Sequence, residues 1–201
     1  MRKSFHMTIA ALLLLAVTGC SGGNSEISDV EGTGETLAVP VSTVKHPKIL
    51  VAYFSCTGNT KSAAEEIQNQ SGADIFEIVP QEPYTSTDLN YSNVDCRANR
   101  EMNDDSSRPA ISGEIDNFSD YETIFIGYPI WWGTMPKIIN TLLDAYDFSG
   151  KTIIPFCTSG GSGIGMSVSA IRAEEPNSKV LDGQRIRSTS EIKAWLEKVL
   201  E

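Results

Sequence analysis

From residue 48 onward, short apolar runs alternate with amphipathic stretches, and this alternation restricts the possible architectures more than any other feature of the chain. Residues 48–54 (KILVAYF), 74–79 (DIFEIV), 123–128 (TIFIGY), 152–157 (TIIPFC) and 179–186 (KVLDGQRI) read as strands. The first, third and fourth hold apolar residues at successive positions, as strands covered on both faces of a parallel sheet do. Amphipathic helices are expected at 60–70, 136–146 and 164–175, and a last one at 190–200. There Ser190 is placed to cap the first turn, while Ile192, Trp195, Leu196 and Val199 fall on one face. Parallel neighbours require right-handed crossovers, so five strands alternating with helices make a doubly wound α/β sheet. Its strands end along one edge, and ligands of such sheets bind there. The connection 80–122 is too long for a bare loop, and a helix is expected within 88–103.

The 201 residues, 40% of them hydrophobic, suffice for one domain, expected to span 47–201. Ahead of it, residues 1–19 place Arg2 and Lys3 before an apolar run too brief to span a bilayer, the pattern of an export signal. The signal ends in Val17, Thr18, Gly19 and Cys20, a string that resembles the bacterial lipobox, which implies lipidation of Cys20. The alternative is a plain secretory signal cleaved near the same point. Residues 20–46 have the Ser-, Gly- and acid-rich composition of a flexible tether. The chain is thus expected in the bacterial cell envelope, held to a membrane through the lipid alone.

Loss of the signal removes two positive charges and no acid, so the exported chain is still more acidic than the −10 of the whole sequence. Such a surface repels nucleic acid and suits basic partners or simple solubility. The three cysteines beyond Cys20, namely Cys56, Cys96 and Cys157, match no zinc spacing and do not form a disulfide framework. The one histidine beyond the signal, His46, lies in the tether, which leaves no member for a catalytic triad or histidine metal site.

Three loops follow strands at the expected binding edge. In the first, Ser55-Cys56-Thr57-Gly58-Asn59-Thr60 passes directly from strand to helix, which aims backbone N–H groups outward at the positive end of the helix dipole. Hydroxyls of Ser55, Thr57 and Thr60 add donors, and Gly58 lets the backbone curl close. A helix cap would use the same residue types; the position at the strand end favours a phosphate seat. Neither GxxxxGK[ST] nor GxGxxG is present, so a monophosphate is preferred. In the second loop, Pro129-Ile130-Trp131-Trp132-Gly133 is read as extended, so that adjacent tryptophans point apart and one faces a ligand. The third, Thr158-Ser159-Gly160-Gly161-Ser162-Gly163, suits backbone approach to a planar polar edge.

A phosphate seat, an aromatic wall and a glycine-rich edge together describe a site for flavin mononucleotide (FMN). SCTGNT is similar to the S/T-x-T-G-x-T phosphate loop of the flavodoxin family, and WWGT resembles its first ring-flanking loop. The resemblance covers about 48–201 and implies a flavodoxin-like sheet of order 2-1-3-4-5 with helices on both faces. It also implies that 55–60 hold phosphate, 129–133 flank the ring and 158–163 line its polar edge. The third loop lacks the tyrosine with which many flavodoxins cover the ring, leaving that face open or covered by Tyr84 or Tyr91. The expected function is FMN-dependent electron transfer with redox partner proteins. An NAD(P)H:quinone-type oxidoreductase and a flavodoxin-like module without flavin stay open. Cys56 is read as contributing its backbone N–H, with a redox thiol as the alternative.

Overall fold

The computed structural model describes residues 48–201; the expected export signal, Cys20 and the tether lie outside the described residues. In chain order the described elements are β1 (Ile49–Tyr53), α1 (Asn59–Ser71), β2 (Asp74–Glu77), β3 (Val79–Pro80), α2 (Arg97–Met102), β4 (Ile111–Ser112) and β5 (Thr123–Pro129). Then come α3 (Lys137–Ala145), β6 (Thr152–Thr158), α4 (Gly165–Glu174), β7 (Lys179–Val180), β8 (Gln184–Arg185) and α5 (Ile192–Val199). The main sheet has the order β2-β1-β5-β6-β7, with β8 also pairing β6, and every pairing in it is parallel.

Strand alternation sorts the core into two layers. On one face Leu50, Ala52, Ile124, Ile126, Tyr128 and Ile153 pack against Ile138, Ile139 and Leu142 of α3 and Ile171 of α4. On the other, Val51, Tyr53, Phe125, Ile154 and Phe156 pack against Ala63, Ala64 and Ile67 of α1 and Ile192, Trp195 and Leu196 of α5. Helices cover both faces, and burial of these apolar side chains drives the assembly.

The fifth strand, expected to be continuous over 179–186, is split into β7 and β8. Residues 153, 155 and 157 of β6 face this edge strand: Leu181 N–H donates to the Ile153 carbonyl and Ile186 N–H to that of Cys157. Between them Pro155 has no N–H to give, so the ladder lapses opposite it. Gly183 fills the gap at φ +69°, where a Cβ would stand 2.4 Å from the Pro155 carbonyl oxygen.

The long connection also differs from its expected form. The helix foreseen within 88–103 is confined to Arg97–Met102, because 85–95 is taken up by turns in which Asp88, Asn90 and Asn93 side chains accept backbone N–H groups. The chain leaves the main sheet at Ile78, and β3 pairs antiparallel with β4, a short sheet not foreseen. At the last helix Ser188, rather than Ser190, accepts the capping hydrogen bond, from Ser190 N–H, of a short 3₁₀ turn that precedes α5.

Gly127 of β5 leaves room for the Phe156 ring, whose Cζ would lie 2.1 Å from a Cβ at this position. Phe156 is fully buried beside Trp195 and has nowhere to turn. Gly127→Ala should therefore cost about 1–3 kcal/mol, read as a lower urea midpoint at unchanged slope, whereas Gly160→Ala, with nothing within 4 Å of its Cβ, should leave the midpoint in place.

Candidate functional site

At the carboxyl edge of the sheet, β1, β5 and β6 stop in register, with Tyr53 opposite Gly127 and Pro129 opposite Thr158. Their three loops therefore begin side by side. Thr158 joins them: its Oγ1 lies 2.8 Å from Oγ1 of Thr60, and its carbonyl accepts Ile130 N–H at 2.9 Å. Thr60 is buried, so its hydroxyl links two loops and does not face outward as expected.

The first loop is no helix cap. Gly58 occupies the cap position at φ 86° with no side-chain capping bond, and Ser55 Oγ instead accepts Gly58 N–H at 3.2 Å. Thr57 Oγ1 accepts from Asn59 Nδ2, also at 3.2 Å. Both hydroxyls act as acceptors here and keep a proton to donate. The amides of Asn59, Thr60 and Lys61, the first turn of α1, have no acceptor among the described residues. This is an outward set of donors at a helix N-terminus, the chemistry that holds an anion.

The second loop is a tight turn, not the extended segment expected. Trp131 and Thr134 exchange both backbone hydrogen bonds at 2.9 Å, with Trp132 at φ 46° and Gly133 at φ 84°, the positive φ pair of a type I′ turn. Glycine adopts this readily; a tryptophan does not. The two indoles do not point apart as expected: the turn brings their rings edge-on to one another at 6.3 Å, and they differ in what else they touch. Trp131 packs edge-on against Phe54 and Tyr84 at 5.6 and 5.2 Å, while Trp132 stays 44% exposed.

Tyr84 is unavailable as a ring cover. Its hydroxyl donates to Glu101, which also pairs with Arg97 Nε at 2.6 Å, and the Arg97 guanidinium lies 4.2 Å over the Tyr84 ring. Tyr91 stands free at the rim, 78% exposed.

Two adjoining cavities share a floor of Thr57, Pro129, Ile130 and Trp131. The more apolar one, about 440 Å³, is completed by Cys56, Thr60, Leu89, Tyr91, Ala98 and Trp132. The more polar one, about 650 Å³, adds Asn59, Thr158, Ser159 and Gly160, with Arg185, Arg187, Ser188 and Thr189 opposite. Both volumes suit small-molecule sites. Of the foreseen residues, Ser55, Gly58, Gly133, Gly161, Ser162 and Gly163 shape the loops without walling either cavity; Ser162 receives the Ser159 hydroxyl on its carbonyl at 2.5 Å. The segment 185–189 was not foreseen. It follows the fifth strand at the same edge, and the rule that ligands gather at strand ends applies to it equally.

The sequence matches the flavodoxin family model over residues 48–199. No curated protein matches the chain. Among solved structures, one described as a flavoprotein from Bacteroides eggerthii DSM 20697 is 43% identical, covers 78% of this chain and 99% of its own, and superposes with a TM-score of 0.73. Another so described, from Bacteroides uniformis ATCC 8492, is 39% identical over 76% of this chain and 99% of its own, with a TM-score of 0.72. A flavoprotein from Lactobacillus acidophilus NCFM, crystallised in complex with FMN, is 27% identical over 75% and 99%, with a TM-score of 0.62. The sheet order, the loop that opens α1 and a family match running through almost all of the described residues agree: the chain belongs to the flavodoxin family.

Proposed function

We propose that this protein is an FMN-binding electron-transfer flavoprotein of flavodoxin type, tethered outside the cytoplasm by a lipid on Cys20 and exchanging electrons with redox proteins. The observation that carries the reading is the row of amides of Asn59, Thr60 and Lys61, unpartnered among the described residues, beside the Ser55 and Thr57 hydroxyls. These residues fit a single phosphate, and the FMN complex of the Lactobacillus relative supports FMN as the molecule that bears it. When bound, FMN supplies the electron-transfer chemistry.

The chain's own residues bind, orient and exclude water. The loop amides and hydroxyls hold the phosphate tail. The shared floor of Ile130 and Trp131, with the exposed indole of Trp132, offers apolar surface to a flat ring. Holding Trp132 in a left-handed conformation costs on the order of 1–3 kcal/mol. Strain of this kind collects at ligand sites, where it fixes a side chain before the ligand arrives. Ser159 and Gly160 bring main-chain groups to the polar cavity.

Thiol chemistry at Cys56 finds no support. Burial of the sulfur pushes its pKa up to about 11, with Arg97 opposing the rise and Glu101 adding to it, although the residue keeps part of its surface open. Raised above the ordinary value, the thiol stays protonated at neutral pH.

FMN added to flavin-free protein should lose its fluorescence on binding. Riboflavin, which lacks the phosphate, should bind at least about 100-fold more weakly, since hydrogen bonds to a charged group contribute roughly 1.5–3 kcal/mol each; equal affinities would remove the phosphate loop from the site. Iodoacetamide should label Cys56 at pH 8 on the order of 100-fold more slowly than free cysteine, with a rate that climbs as pH approaches about 11. Fast labelling at pH 8 would reveal a thiolate. Cys20→Ser should move the protein from the membrane to the soluble fraction; retention with the membrane would count against the lipid tether.

A further inference from the structure

Three arginines of the described fold each meet a carboxylate: Arg97 with Glu101 at 2.6 Å, Arg108 with Asp144 at 2.5 Å and Arg172 with Asp182 at 2.8 Å. Of the other three, Arg100 donates to the Asp95 backbone carbonyl, while the guanidinium groups of Arg185 and Arg187 form no ion pair among the described residues. Both wall the polar cavity, together with Ser188 and Thr189. Arg185 is half-buried at the end of β8; its Nη1 donates to the Gly161 carbonyl at 3.1 Å, its Nη2 to that of Ser159 at 3.0 Å, and its Nε is buried without an acceptor. Arg187, two residues on, is exposed.

A cation drawn partly out of water needs a counter-charge, and leaving it without one is costly. A chain with 26 acidic and 16 basic residues has carboxylates in excess, yet none pairs with either guanidinium among the described residues; Glu191 accepts only the Arg187 backbone N–H, at 3.5 Å. An anion brought by a ligand meets the need. The amides of the first loop already provide for one phosphate across the same cavity, so the arginines are left for a second.

We propose that Arg185, Arg187, Ser188 and Thr189 form a second anion subsite, which takes a phosphate or pyrophosphate group beyond the FMN phosphate; the inference rests on the FMN reading. Guanidinium forks and neighbouring hydroxyls match phosphate oxygens in geometry and charge. Because Arg185 also holds two carbonyls of the glycine-rich loop, occupancy of the subsite bears on the loop that faces the flavin site. The group has two possible bearers, the adenylate end of a dinucleotide flavin or a separate pyridine dinucleotide that meets bound FMN.

The test is calorimetric titration of FMN-loaded protein with ADP, which carries a pyrophosphate and no redox ring. The subsite predicts binding that Arg187→Gln weakens at least tenfold while FMN affinity stays unchanged; Arg185→Lys, which keeps the charge, should retain more of it than Arg185→Gln. In a parallel arm, FAD binding to flavin-free protein more tightly than FMN, with the same dependence on Arg187, assigns the second phosphate to the flavin itself, whereas ADP binding to the FMN-loaded form assigns it to a separate nucleotide. The inference is overturned if neither occurs, if ADP binds regardless of Arg187, or if Arg187→Gln weakens FMN as much as ADP. A folded sample that takes up no FMN rejects the FMN reading alone, and inorganic pyrophosphate titrated into that sample and its Arg187→Gln variant still decides the subsite.

Discussion

The contacts of Thr158 hold the site together. It ends β6 at the point where β5 ends opposite it, accepts Ile130 N–H on its carbonyl and meets the buried hydroxyl of Thr60 with its own. One residue thus fixes the distance between the start of α1, the Trp131–Trp132 turn and the glycine-rich loop. Their common origin on adjacent parallel strands is what brings anion donors, aromatic surface and polar backbone within the reach of one molecule.

The parts of this fold that depend on burial were legible in the sequence. β1, β5 and β6 appear as continuous apolar runs because both of their faces are covered, and α3 and α5 as periodic stretches because one face is. What escaped was set by single backbone atoms. Pro155 lies inside a run, 152–157, that reads as a buried strand throughout; only its direction, toward the edge strand rather than toward β5, decides that β7 and β8 separate. Likewise the polar run 85–95 has a length that allows a helix, but its Asp and Asn side chains bond to the backbone locally and form turns instead.

The site shows the same division. SCTGNT announces an anion seat by composition and position, but the residue types alone do not separate a seat from a cap. The separation comes from where Ser55 Oγ points, back to Gly58 N–H and not onto the first turn of α1, which leaves that turn's amides free. Adjacent tryptophans suggested an extended strand end, and nothing about Trp132 as a residue type hints at φ 46°; the clue was Gly133 beside it. Arg185 and Arg187 were hidden because 179–186 reads simply as a fifth strand, and nothing in that pattern marks the arginines at its end as facing a cavity.

The body of the protein and its candidate site carry opposite electrostatics. A net charge of −10 repels anions at long range, and screening confines most of that repulsion to about 8 Å at physiological salt. Within that distance the local donors decide: three amides at a helix start and two guanidinium groups that have no acceptor or carboxylate partner, respectively, among the described residues, with the hydroxyls of Ser55 and Thr57 beside them. An acidic exterior and an electropositive pocket are therefore compatible, since one acts on partners approaching through solvent and the other on groups already in contact.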